Sequence, residues 1–309
     1  MASPHPRNHR FRRPDQPARP LRLTPRDLEI LRLVAEHRFL SSVQLQKWLD
    51  TPRQPLLRRL QRLYHHGYLD RPRAQLDYYH QGGSRPMVYG LARRGAGLLR
   101  RDLDLPFSCM DWSGRPHQVG RLFLEHALLI SDVMTAFELA CRKHDGIQLQ
   151  LLDGLSPEKD GRKPSRNYRW NVTLRNRQRL GIAPDRVFAL EYTTNRQEPT
   201  RAYFFLEADR GTMPVTRSNL RQSSFLRKLL AYEATWTQGV HQRRFGMHRF
   251  RVLTVTGSQE RLRHLVEASR QLEQGRGLFL FLDDAATRAS PDLLKEHWHS
   301  PSGTESLMP

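Results

Sequence analysis

The sequence predicts a two-domain α+β / α/β chain, an N-terminal winged helix-turn-helix followed by an α/β sandwich on a mixed sheet. Three observations carry that expectation. Between residues 23 and 102, three short amphipathic patterns precede two apolar runs around a glycine-bearing loop, the order helix–helix–helix–hairpin. Between 119 and 285, a long helical pattern leads into helix–β–β–β–β–helix–β–helix–β, the alternation of a layered α/β structure. The 309 residues carry 51 Lys+Arg against 31 Asp+Glu, a formal net charge of +20. That excess points to a polyanionic partner, nucleic acid before an anionic membrane surface.

Residues 1–22 are rich in Pro, Arg and His and almost devoid of apolar side chains. They read as a disordered basic arm, suited to phosphate or minor-groove contact. Thr24-Pro25-Arg26-Asp27 then offers a cap, a proline and an early acid, and Leu28, Ile30, Leu31, Leu33 and Val34 supply the first buried helical face. Ser41 caps a second short helix, SSVQLQKWL. The third helix lies in TPRQPLLRRLQRLYHH, residues 51–66, with Thr51 as N-cap, Pro52 in the first position and Gly67 as terminator. Leu56, Leu57, Leu60, Leu63 and Tyr64 make one stripe, and Arg58, Arg59 and Arg62 fall away from it. Such an oily back and arginine-rich front suits the major groove of duplex DNA. A merely solvated charged face has the same pattern. Tyr68–Pro72 and Pro86–Leu91, on either side of Gly82-Gly83, make the wing, and Ala92–Leu99 a fourth helix. Arg53, Gln54, Arg58, Arg59, Arg62, Arg71 and Arg85 are the candidate DNA contacts. A small protein-binding module fits the same element order.

Residues 103–118 have no sustained period and read as a linker. Gly120–Lys143 is a long amphipathic helix, buried along Leu122, Phe123, His126, Leu129, Ile130, Val133, Phe137 and Ala140. Strands are expected at Ile147–Leu152, Tyr168–Leu174, Arg186–Tyr192, Ala202–Ala208, Phe250–Thr256 and Leu278–Leu282, and helices at Ser218–Trp236 and Gln259–Leu272. Ser156–Arg166 reads as a mobile loop and 286–309 as a flexible polar tail. No apolar run approaches the roughly 18 residues of a membrane span. No apolar segment follows the N-terminal arginines as in a secretory signal, so a cytoplasmic protein is expected. Cys109 and Cys141 lack metal-ligand spacing and read as ordinary thiols of a reducing compartment. The 14 histidines form no ligand pattern.

One constellation of acids stands out in the second domain. Pro184-Asp185 opens one strand, and Glu207-Ala208-Asp209 closes the next beside Arg210 and Gly211. Residues 207 and 209 share a face, and adjacent strands in register bring Asp185 near Glu207. Lys228 and Tyr232 lie one turn apart on the following helix, and Glu125 on the long preceding helix could face the same spot. Asp185, Glu207 and Asp209 are the kind of oxygen ligands that Mg²⁺ uses, and such an ion activates water and offsets charge on a phosphodiester. Lys228 would steady that charge. Ion pairs cluster the same residue types, here Asp185 with Arg186 and Asp209 with Arg210.

This layout resembles the restriction-endonuclease-like nuclease fold, whose signature is Pro-Asp followed by a strand ending in acid–any residue–lysine. Asp209 stands in the lysine position. Some members supply the lysine from the next helix, as Lys228 would here. The resemblance implies a Mg²⁺-dependent endonuclease or nickase acting through Asp185, Glu207 and Lys228, with Glu125 as a further candidate. The chain from about Leu23 to Leu282 also resembles the replication-relaxation family of plasmids and other mobile elements. The segments that carry this are LTPRDLEILRLVAEHRFLSSVQL, RRLQRLYHHGYLDRP, VYGLARRGAGLL, PDRVFALE, FFLEADRGT and KLLAYEATW. It implies a DNA-binding protein acting in replication, relaxation or transfer, with duplex DNA and other proteins of the element as partners and no membrane. The oligomeric state stays open, a homodimer included, and a winged-helix transcriptional regulator is a further reading. Nothing resembles the tyrosine–histidine cluster of a relaxase that joins covalently to DNA.

Overall fold

The first helix begins where its cap and early acid require. Helix α1 (Pro25–His37) is preceded by Thr24 in extended conformation. The Asp27 carboxylate reaches back to accept the Thr24 N–H at 2.6 Å and its hydroxyl at 2.8 Å, satisfying donors that the helix leaves orphaned. In this computed structural model the described residues are 11–14, 20–76, 85–102, 119–152, 168–193, 199–219 and 222–308. They divide into two compact units, the described residues up to Ser131 and those from Asp132 onward.

In the first unit, β1 (Phe39–Ser41) leads into α2 (Ser42–Leu49). Ser41 and Gln44 cap that helix reciprocally, at 3.2 and 2.7 Å. Asp50 then takes a left-handed turn, φ 42°, and α3 (Arg53–His65) follows. Its cap is Pro52, one residue later than Thr51, whose hydroxyl accepts instead from Arg26 at 3.2 Å. Gly67, at φ 75°, ends the helix in the conformation glycine tolerates best. Strands β2 (Leu69–Asp70) and β3 (Val88–Leu91) join β1 in an antiparallel sheet of order β1–β3–β2, and α4 (Arg93–Asp102) follows. The Gly82-Gly83 loop lies outside the described residues. Ile30, Leu31, Val34, Leu45, Leu60, Leu63 and Leu91 form the core between helices and sheet. The first half of α5 (Arg121–Cys141) belongs to this unit, since Leu124 and Ala127 pack with Phe39 and Val88. The units therefore divide within α5, after Ser131, while the expected linker at 103–118 lies outside the described residues.

The second unit is built on β4 (Ile147–Leu151), β5 (Trp170–Thr173), β6 (Arg179–Ile182), β7 (Arg186–Tyr192) and β8 (Thr200–Asp209). It continues with α6 (Phe225–Thr237), α7 (Val240–Phe245), β9 (Phe250–Thr256), α8 (Gln259–Arg270), β10 (Phe279–Asp283), α9 (Asp284–Ala289), β11 (Trp298–Ser300) and β12 (Gly303–Glu305). The mixed sheet has the order β12–β11–β10–β9–β8–β7–β4, and β8, β9 and β10 are mutually parallel. RVFALEY and AYFFLEA are nearly continuous apolar runs because both faces of these central strands are covered. One face carries Val187, Phe205, Val252 and Phe281, which share a core with Leu229 of α6, Leu265 of α8 and Trp170 of the β5–β6 hairpin. On the other, Phe188 stacks on Phe204, and Phe137 of α5 meets Phe188 at 5.0 Å.

Several expectations need correction here. The tail from 286 onward is not frayed: β11 and β12 extend the sheet, and Leu293, Leu294, Trp298 and Leu307 are buried. These apolar residues are too scattered to give a period, yet each is buried. Helix α6 starts at Phe225 rather than Ser218, because Pro214 and Val215 fold back and accept its first N–H groups at 2.9 and 2.8 Å. Strand β6 and helix α7 were not anticipated. Part of the N-terminal arm is fixed too: Arg13 donates to Tyr64 O and Leu69 O, each at 3.0 Å. Among the described residues, no helix is long and apolar enough to cross a membrane.

Candidate functional site

The outward face of α3 combines arginine and glutamine and carries no acid. Leu56, Leu60, Leu63 and Tyr64 are buried, which turns Gln54, Arg58 and Gln61, spaced four and three apart, into one exposed row. Arg53 and Arg62, also exposed, flank it. The helix RQPLLRRLQRLYH contains no carboxylate. Guanidinium forks and amide groups in a row are what phosphates and base edges accept bonds from. Gln61 was missed in the sequence, although it sits seven residues from Gln54 on the same row.

The other candidates on this unit divide by what holds them. Arg59 lies at the flank of the apolar stripe and forms an ion pair with the fully buried Asp27, with a further bond to Arg22 O at 2.8 Å. Burial alone would raise the Asp27 carboxyl. The bonds from Arg59 and Thr24 more than reverse this and hold it below the usual carboxylate range. Arg59 is thus a structural residue, not a free contact. Arg71 is also taken inward: it is buried, its guanidinium 4.2 Å from the Tyr64 ring centre and 5.3 Å from that of Tyr89. Two electron-rich faces make that burial tolerable. Arg62 keeps its exposure while donating to Pro20 O at 2.9 Å. Arg85 is exposed just ahead of β3. Glu125 lies on the half of α5 that belongs to this unit and pairs with Arg121 at 2.9 Å.

In the second unit the sheet brings three of the predicted residues together. The β7–β8 register sets Arg186 opposite Leu206, which leaves Asp185 beside Glu207. Asp185 Oδ2 accepts the Ala208 N–H at 2.8 Å. Glu207 is buried, accepts the Tyr232 hydroxyl at 2.6 Å on Oε1, and forms an ion pair with Lys228 through Oε2. Lys228 and Tyr232 reach it from one face of α6, a single turn apart. Burial and the Asp185 charge raise the Glu207 carboxyl above its ordinary range, against the pull of Lys228 and Tyr232. Burial pulls Lys228 down, but the carboxylates of Glu207, Asp185 and Asp209 outweigh it, so the ammonium is held more tightly than usual.

Asp209 goes elsewhere. It is buried and held by Arg261 through both oxygens, at 2.8 and 3.0 Å, and by the Thr256 hydroxyl at 2.9 Å. Arg261 and Thr256 were missed: the parallel register Asp209↔Thr256 joins strands 47 residues apart, and α8 brings Arg261 from further still. As arranged, these carboxylates do not fit Mg²⁺. Both Glu207 oxygens and both Asp209 oxygens already accept from protein donors, and Lys228 and Arg261 supply the positive charge. Among the described residues, no group of three or more His, Cys, Asp or Glu is placed to hold a metal ion. Cys141 is a buried free thiol, pushed up to about 12 by burial and the nearby Glu138 and Asp292.

The family model described as replication-relaxation matches residues 31–249, from α1 to the residue before β9. No curated protein and no solved structure matches the chain.

Proposed function

The chain belongs to the replication-relaxation family, and from that premise we propose that it is a DNA-binding protein of a plasmid or other mobile element, acting in its replication, relaxation or transfer. On this reading the first unit is a winged helix-turn-helix. Helix α2 and the Asp50 turn position α3 as the reading helix, and the β2–β3 hairpin is the wing. The observation that carries the proposal is the outward face of α3, where Arg53, Gln54, Arg58, Gln61 and Arg62 are exposed on a helix without a single acid. A surface helix serving only solubility mixes signs. This one carries positive charge without negative, in a chain of net charge +20.

Arg53 and Arg62 at the edges of the row suit phosphate contacts, which release counterions. Gln54, Arg58 and Gln61 at its centre suit base edges, where glutamine pairs with adenine and arginine with guanine. The test is anisotropy of labelled duplex DNA titrated with the full chain across a range of salt concentrations. Affinity should fall steeply with salt, by about 0.9 in log K per log salt for each phosphate neutralised. Arg58→Ala should cost about 1–3 kcal/mol and relax sequence preference, and Arg62→Ala should reduce the salt slope by about one. A flat salt response, or undiminished affinity in both variants, would overturn the assignment.

A second reading is a Mg²⁺-dependent endonuclease or nickase in the second unit, and the meeting of Asp185, Glu207 and Lys228 favours it. Against it stand the filled carboxylates and the diversion of Asp209 to Arg261. We therefore assign this unit a binding role and expect supercoiled plasmid to stay supercoiled with protein and Mg²⁺ or Mn²⁺. Nicked product that disappears in Asp185→Ala, with duplex binding retained, would give the domain to catalysis instead.

A further inference from the structure

At the far end of the parallel strands from Glu207, where β8 and β9 begin, the second unit holds a cavity of about 700 Å³. That is the size range of pockets for small organic groups. Its lining combines the rings of Tyr192, Tyr203 and Trp236 with Arg201, Arg249 and Arg251, and includes no carboxylate among the described residues. Trp236 is set in place by stacking on His241, centroids 4.8 Å apart and planes 13° from parallel. Gly275, at φ 68°, adjoins this wall, where a Cβ would press on Leu278 Cδ1 at 2.9 Å and lie 3.8 Å from Trp236 Cδ1. Arg201 is tied to Glu191 at 2.6 Å and Arg251 to Glu305 at 2.7 Å. Arg249 is exposed and has no carboxylate partner among the described residues.

We propose that this cavity receives an unpaired nucleotide of single-stranded DNA, the base against Trp236 and Tyr203 and the phosphate at Arg249. A flat aromatic group with an attached anion matches both halves of the lining. A purely apolar ligand would leave the Arg249 charge unanswered, and a bare anion would leave the aromatic walls unused. Stacking on fixed rings beside arginine is how unpaired bases are held without sequence readout. The inference rests on the DNA-binding reading above, but on another unit and other residues. A protein that engages duplex with α3 and an unpaired strand here would favour locally opened DNA.

The test uses the full chain and anisotropy of labelled oligothymidylate, an abasic strand of equal length, and duplex. Oligothymidylate should bind more tightly than the abasic strand. Arg249→Glu and Trp236→Leu should each weaken it by roughly five-fold or more while leaving duplex affinity unchanged. Arg58→Ala should do the reverse, so undiminished duplex binding in Arg58→Ala beside a single-strand response that depends on Arg249 would sink the α3 assignment and spare this one. Equal affinity for the abasic strand, or an Arg249→Glu protein that binds oligothymidylate like the parent, would overturn the proposal. So would thymidine monophosphate binding as tightly as the oligomer, which would make the ligand a free nucleotide, or displacement of a bound apolar dye by an acyl chain and not by oligothymidylate.

Discussion

Asp27 shows how one side chain can decide what its neighbours are free to do. It closes the N-terminus of α1 and draws Arg59 off the outward face of α3, so the make-up of that face depends on an acid that lies outside it. Asp27→Asn should destabilise the first unit by about 2–4 kcal/mol, since it leaves a partly buried guanidinium without its counter-charge. The pH dependence has a definite sign. The native carboxyl lies below its ordinary 3.8, so the pair's stabilisation is complete above that value and is lost as pH falls through the native one. Urea unfolding at a series of acid pH values would check this, and Asp27→Asn should flatten the profile. In the second unit, Lys228→Met leaves Glu207 buried with only Tyr232 as donor and should cost about 2–4 kcal/mol, discounted because Lys228 is partly exposed. Glu207→Gln combined with Lys228→Met should recover part of that loss, and a double-mutant cycle on unfolding free energy reads the coupling directly. A cycle with no coupling would mean that the ion pair is not maintained in solution.

At the scale of elements, strands and helices whose own residues repeat at a structural period were legible in the sequence. LEILRLV, LLRRLQRLY, RVFALEY and FRVLTVT declare themselves because each buries a stripe or a whole run. What stayed hidden depends on partners distant along the chain. β6 is a short alternating strand whose arginine and glycine face outward, and it is visible only as the mate of β5. β11 and β12 carry one large apolar residue between them, Trp298, whose burial against Phe137 follows from the sheet and not from any local pattern. The candidate site divides the same way. Asp185, Glu207 and Lys228 were legible because neighbouring strands and the next helix place them. The capture of Asp209 by Arg261, and of Arg59 by Asp27, was not, because charges choose partners in space. Trp298→Ala should therefore act as a core substitution, lowering stability by about 3–5 kcal/mol, which thermal melts would register. A neutral result would return 286–309 to the status of a loose tail.

For the whole molecule, charge is the governing quantity. An excess of +20 draws any polyanion, so a specific site has to rise above a non-specific background that salt strips away. Duplex affinity and oligothymidylate affinity should both weaken with salt, while the ratio between parent and Arg58→Ala on a preferred duplex should outlast the background. Competition with heparin would separate the two components. The outward row of α3 consists of arginine and glutamine only, and neither changes its protonation anywhere near neutrality. The hold of this helix on its ligand should consequently be blind to acidity from mildly acid to mildly alkaline buffer, leaving ionic strength as the one dial a cell could turn to loosen it.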